Sequence, residues 1–166
     1  MVTRSPKKPP SEAASRTEKL KLAAAHYFCR KNYGVHQEIG LDKRGVLRAD
    51  ILAMTIYGYM VICEVKQSVA DFRADKKWSR YLDYSNKFYF VFPSDVWTKV
   101  KAMPMVLPPG IGVMVLSDDR GKMRVVRKAK HRELDEERLG SLVLRMAWRG
   151  AWLNRKNTPR IKAVFL

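Results

Sequence analysis

RADILAMTIYGYMVICEVKQS, Arg48 to Ser68, sets two apolar runs on either side of a Tyr-Gly pair. It nevertheless places Asp50 at the start of the first run and Glu64 and Lys66 near the end of the second. Side chains alternate across a strand, so Met60, Ile62, Glu64 and Lys66 share one face, and Asp50, Leu52 and Met54 share a face of the preceding strand. Tyr57-Gly58 reads as a hairpin turn. Folding back there lays the early end of the first run beside the late end of the second, so Asp50 meets Glu64 and Lys66 at one end of a hairpin.

The flanking segments extend this hairpin into a sheet. VHQEIGL (Val35 to Leu41) precedes it as a strand, followed by DKRG as a turn, and the two hairpin strands take 47–55 and 59–68. Upstream, TEKLKLAAAHYFCRKN has Leu20, Ala23, Ala24, Tyr27 and Phe28 at helical spacing, with Gly34 just beyond. Downstream, VADFRADKKWSRYLDYSN returns to helical periodicity before KFYFVFP, a strand stopped by Pro93. The order is αβββαβ. Beyond it the sequence predicts a short helix in DVWTKVKAM, a loop in MPMVLPPG, two strands around Asp118 to Gly121, and a helix from Asp135 to Leu153. The acids Asp135, Glu136 and Glu137 suit the first turn of that last helix.

Charge identifies the kind of partner. The 166 residues hold 33 Lys+Arg against 16 Asp+Glu, a formal net charge of +17, far beyond what solubility requires of a small domain. Residues 121–166 carry 13 Lys/Arg and 4 Asp/Glu, a footprint for a polyanion. The length suits one domain with tails: a Pro/Ser/Lys-rich arm over 1–16, expected to be disordered, a domain over 17–153 and a basic tail over 154–166. Cys29 and Cys63 stand 34 residues apart without a CxxC pair, which argues against a disulfide framework or a zinc site. No apolar run is long enough to span a membrane, and the N-terminus has no apolar signal segment. A cytoplasmic protein without a membrane partner is expected.

Carboxylates gathered at one sheet end repel one another unless a cation neutralises them, and hard oxygen donors suit Mg²⁺ or Mn²⁺. Glu38, near the end of the first strand, lies at the same sheet end. An ammonium beside such a metal supports phosphodiester hydrolysis by stabilising charge that develops on phosphorus-bound oxygen. The competing reading is a buried ion-pair network of Asp50, Glu64 and Lys66 without chemistry, a costly arrangement to desolvate.

The αβββαβ order with D…EVK in ADILAMTIYGYMVICEVK resembles the PD-(D/E)XK nuclease superfamily over Thr17 to Pro93. RADILAM, EVKQSVADFRADKKWSRYLDYSNKFYFVFP and GVMVLSD are more narrowly similar to the MmcB-type DNA repair proteins. The resemblance implies an α/β restriction-endonuclease-like core with a central mixed sheet flanked by helices, and a metal-dependent DNA nuclease acting in repair, recombination or replication. It makes Asp50 and Glu64 ligands of Mg²⁺ or Mn²⁺, Lys66 the catalytic lysine and Glu38 an accessory acid. A homodimer is compatible with it. Gln67 departs from a small polar residue of the narrower family, and Ala49 replaces the Pro of the superfamily motif.

Candidate nucleic-acid contacts are Lys7 and Lys8 of the arm, Arg124, Arg127, Lys128 and Lys130, and the block Lys76, Lys77, Trp78 and Tyr81. In that block the lysines would meet phosphate and an aromatic ring would stack on an unpaired base. The alternative packs Trp78 and Tyr81 on the sheet and pairs Asp75 with a lysine. His26, His36 and His131 are too scattered for a ligand set. The competing functions are a non-catalytic nucleic-acid-binding protein of nuclease fold and a basic RNA-binding protein. Neither needs carboxylates facing a polyanion.

Overall fold

The computed structural model describes residues 12–42, 45–103, 107–117 and 121–157, with side chains omitted at 13, 14 and 151–157. Its elements are α1 (Glu12–Cys29), β1 (Gly34–Gly40), β2 (Arg48–Met54), β3 (Met60–Val65), α2 (Val69–Ala74), a 3₁₀ helix η1 (Trp78–Tyr84), β4 (Lys87–Pro93), α3 (Ser94–Lys101), β5 (Gly112–Leu116), β6 (Met123–Arg127) and α4 (Glu136–Asn157). The strands form one six-stranded sheet in the order β1-β2-β3-β4-β5-β6. β1/β2, β2/β3 and β5/β6 pair antiparallel, whereas β3/β4 and β4/β5 pair parallel. The sheet is therefore mixed and flanked by helices, consistent with a restriction-endonuclease-like α/β fold.

Two cores lie on its two faces. α1 buries Leu20, Ala24 and Phe28 against Ile51, Val61, Cys63, Val91 and Met114. On the other face Ile62, Phe88, Phe90, Phe92 and Val113 receive Tyr81 of η1, Val96 and Val100 of α3, and Leu142 and Met146 of α4. Coverage on both sides explains why β3, β4 and β5 read as nearly continuous apolar runs. Phe88, Phe90 and Phe92 alternate down β4 and make edge or tilted contacts with Phe72, Trp78 and Trp97. Burying such a ring contributes on the order of 2 kcal/mol.

The expected helix over 69–86 is two elements. Ser68 caps α2 by accepting a hydrogen bond from the Asp71 backbone N–H at 3.0 Å. At Asp75 the backbone turns extended (φ −72°, ψ 109°). There the carboxylate Oδ1 accepts from the backbone N–H groups of Lys77 (2.7 Å) and Trp78 (3.1 Å). A short acidic side chain that bonds nearby backbone offers the chain an alternative to helix, so the helical periodicity of this segment breaks at Asp75.

Two boundaries also shift. α1 begins at Glu12, within the expected arm, and α4 continues to Asn157, past the expected start of the tail. Lys7, Lys8 and the turn residues 118–120 lie outside the described residues. No described helix is long and apolar enough to cross a membrane.

Candidate active site

Register builds the site. Ile51 pairs with Cys63, so one step further along this antiparallel ladder Asp50 stands opposite Glu64. Asp50 Oδ2 accepts from the Val65 backbone N–H at 2.8 Å, which fixes the carboxylate at the strand end. Lys66 follows β3, its backbone N–H bonded to the Val91 carbonyl, and its side chain turns to the same side as Glu64. Its Nζ lies 3.7 Å from Glu64 Oε1 and 2.7 Å from Asp75 Oδ2. The three residues line one open pocket of about 470 Å³ together with Arg48, Asp71, Asp75, Lys77 and Tyr81.

The electrostatics follow from burial. Desolvation, with the Asp50 charge adding to it, pushes the Glu64 carboxyl up from 4.5 to about 8. Desolvation also raises Asp50, against the stabilising Val65 N–H and Lys21 charge. For Lys66 burial pulls downward, but the hydrogen bond to Asp75 and the charges of Glu64 and Asp75 outweigh it and hold the ammonium above its ordinary value. Lys66 is only 5 % exposed, so this cation is buried and paired. Glu64 Oε2 is buried without a hydrogen-bond partner, a costly state for a carboxylate oxygen.

Glu38 stands at the same sheet end, across the β1/β2 ladder from Asp50, and its charge helps to raise the Asp50 carboxyl. It takes a left-handed conformation (φ 52°) between the pairs Gln37–Ile51 and Ile39–Ala49. Its carboxylate is held by Lys21 of α1 and by Arg48 Nε at 2.8 Å. Lys21 lies between Glu38 and Asp50, so the two carboxylates share this cation while Arg48 takes the other side of Glu38. Among the described residues no three His, Cys, Asp or Glu side chains converge on one metal position.

Trp78 is half-buried and Tyr81 is buried against the sheet. Trp78 packs against Phe88 and Phe90, and Tyr81, 4 % exposed, stacks on Phe88. Tyr81 still reaches the site through its hydroxyl, which donates to the Arg48 carbonyl at 2.9 Å and lies 3.3 Å from Glu64 Oε1. Burial and the charges of Glu64, Asp75 and Asp50 raise this phenol, which therefore stays neutral. Lys76 and Lys77 are exposed, Lys77 at the pocket wall.

The basic residues of β6 lie elsewhere. The register runs Glu64, Phe90, Val113, Arg127 across the sheet, three strand spacings or about 14 Å. Arg127 is half-buried and donates to the Leu107 and Pro108 carbonyls, so it is a structural cation. Arg124, Lys128 and Lys130 are exposed at this far edge.

Sequence reasoning missed Lys21 as a member of this network. It is 7 % exposed, with Nζ paired to Glu38 and Glu18 and 3.9 Å from Asp50 Oδ1. The available signal was its place among Ala24, Ala25 and Phe28 on the apolar face of α1. Asp75 pairs with a lysine as the sequence suggests, and that lysine is Lys66 of the pocket.

The fold is thus a mixed six-stranded sheet with two carboxylates and a buried lysine at one strand end. A family model described as DNA repair protein MmcB-like matches residues 6–158, and the chain belongs to that family. No curated protein matches. Among solved structures, the SPO1766 protein of unknown function from Silicibacter pomeroyi is similar, with a TM-score of 0.72 and 22 % identity over 90 % of this chain and 97 % of that one. At that identity the likeness speaks to the fold alone.

Proposed function

We propose that this protein is a metal-dependent DNA nuclease of the PD-(D/E)XK type, working in DNA repair, recombination or replication. The observation that carries the reading is the Asp50–Glu64 carboxylate pair with the buried Lys66 ammonium in one open pocket. Membership in the MmcB-like DNA repair family supports DNA as the substrate. The donor set fits a hard divalent cation: Glu64 Oε2 is orphaned, Asp50 stands opposite, and Mg²⁺ commonly takes only one or two carboxylates and keeps water for the rest. Asp50 and Glu64 would hold Mg²⁺ or Mn²⁺, which supplies Lewis acidity toward a phosphoryl oxygen.

The chain's own residues supply the remaining functions. Lys66, clamped by Asp75, stays protonated and offers fixed positive charge to an oxygen that gains negative charge. The Val65 N–H holds Asp50 in orientation and the Tyr81 hydroxyl lies beside Glu64, and Arg48 and Lys77 at the pocket wall would meet backbone phosphate.

A nucleic-acid-binding protein of nuclease fold without turnover is the second reading. It is favoured by the ion pairs of Glu38 with Lys21 and Arg48, which compete with a metal for that carboxylate. Cleavage of single-stranded, duplex, flap and four-way-junction DNA with Mg²⁺ or Mn²⁺, and with chelator, separates the two. Turnover that requires metal and is lost in folded Glu64→Ala and Lys66→Ala supports the nuclease. Tight binding without product under every condition selects the binder.

A further inference from the structure

With Tyr81 buried and Trp78 half-buried against the sheet, the exposed aromatic rings become informative. Trp148 on α4 is 72 % exposed, and Leu144, one turn earlier on the same face, is equally so. From Arg138 to Leu166 the chain carries seven Lys/Arg and no Asp/Glu. Beside Trp148, Arg145 donates to the Asp42 carbonyl at 2.8 Å and Arg149 to the Glu38 carbonyl. These bonds tie α4 to the end of β1, where the Glu38 carboxylate holds Arg48 of the pocket wall. α4 is therefore tied to the pocket rim through Arg149, Glu38 and Arg48. Tyr57, also exposed, sits in the β2–β3 turn at the other end of the hairpin.

We propose that Trp148 is a base-stacking platform for single-stranded nucleic acid, with Arg145 and Arg149 attracting the adjoining phosphates. An indole face stacks on a base only where that base is unpaired, and such stacking tolerates any sequence. A guanidinium bonded to one carbonyl keeps further N–H donors for phosphate. Two copies of this chain facing each other through α4 would bring two acid-free basic segments together, which like-charge repulsion opposes. The inference rests on the proposed nucleic-acid substrate and deepens it to strands with unpaired bases; it does not need cleavage.

The test is an anisotropy titration of the full chain, in chelator, with a labelled single-stranded oligothymidylate and with a duplex of the same length. Trp148→Ala is expected to weaken oligothymidylate binding by about 5- to 150-fold and to leave duplex affinity unchanged, while Trp148→Phe retains most of the single-strand affinity. Unchanged oligothymidylate binding by Trp148→Ala, or equal losses on both probes, overturns the proposal. So does light scattering that shows a wild-type dimer turned to monomer by Trp148→Ala, which assigns the face to a second copy. Displacement of the oligothymidylate by polyglutamate from wild type but not from Trp148→Ala would assign it to an acidic protein. Because the titration runs in chelator, its outcome does not depend on cleavage; a failure of the nuclease reading appears in the metal-containing cleavage assay, as missing product with single-strand affinity intact.

Discussion

Glu64 concentrates the electrostatic cost of the site in one side chain. Its carboxyl is raised from 4.5 to about 8 by burial and by Asp50, so the folded chain binds this proton more tightly than the unfolded chain. The resulting stability is fully present below about pH 4.5 and is lost as pH rises toward about 8. Asp50 is raised too and acts with the same sign. Lys21 and Lys66 are raised above 10.5 and titrate beyond this window. Chelator-treated protein should therefore lose stability on going from the lower to the upper end of that range. Glu64→Gln, which keeps the shape without the charge, should flatten the dependence. Urea unfolding at several pH values measures it, and equal slopes for both proteins would show that Glu64 is not the titrating group.

The break between α2 and η1 aims a side chain into the pocket. Asp75 serves both elements, since Oδ1 caps η1 through the Lys77 and Trp78 N–H groups and Oδ2 holds Lys66. Asp75→Ala removes both roles. Loss of a cap costs about 1 kcal/mol, and stranding a buried charge costs about 3 to 5 kcal/mol, so a large drop in stability is expected. Asp75→Asn keeps an oxygen for the cap and should lose less, so thermal melts should rank wild type above Asn above Ala.

A different constraint governs β5, where a Cβ on Gly112 would lie 2.3 Å from Tyr89 Cδ1 and 2.9 Å from Ala129 Cβ. Gly112→Ala must displace a ring of the α1-side core, and overpacking of this kind costs about 1 to 3 kcal/mol. Chemical denaturation of the variant checks this, and an unchanged midpoint would mean that Tyr89 moves without cost.

For the chain as a unit, the net charge of +17 is the dominant physical fact. Its cations are spread between the pocket side, with Arg48 and Lys77, and the β6 edge about 14 Å across the sheet, with Arg124, Lys128 and Lys130. Nucleic-acid affinity should fall linearly on a log–log plot against salt, with a slope near −0.9 per phosphate neutralised on duplex DNA. Removing residues 1–11, which carry Arg4, Lys7 and Lys8, should make that slope shallower if the arm touches backbone. A flat plot for the intact chain would reject electrostatic binding altogether.

Local rules were enough to bring Asp50, Glu64 and Lys66 to one place. A period of two and a Tyr-Gly turn set which side chains share a face and which strand ends meet, and both are short-range properties. The αβββαβ order was legible for the same reason, through alternation, helical spacing and Pro93. Competition between non-local partners was not legible. Glu38 lies near Asp50 in the sheet, but a lysine from α1 and an arginine from β2 claim it. Trp78 and Tyr81 carry polar atoms that suit either water or a core, and the row of phenylalanines on β4 draws Tyr81 into the core and half-buries Trp78. The distance of the β6 cations from the pocket depends on strand order, and α4 meets the end of β1 only because the finished sheet leaves that edge open to it. Sequence periodicity states which face a side chain takes; which other element arrives at that face is settled by packing of the whole sheet.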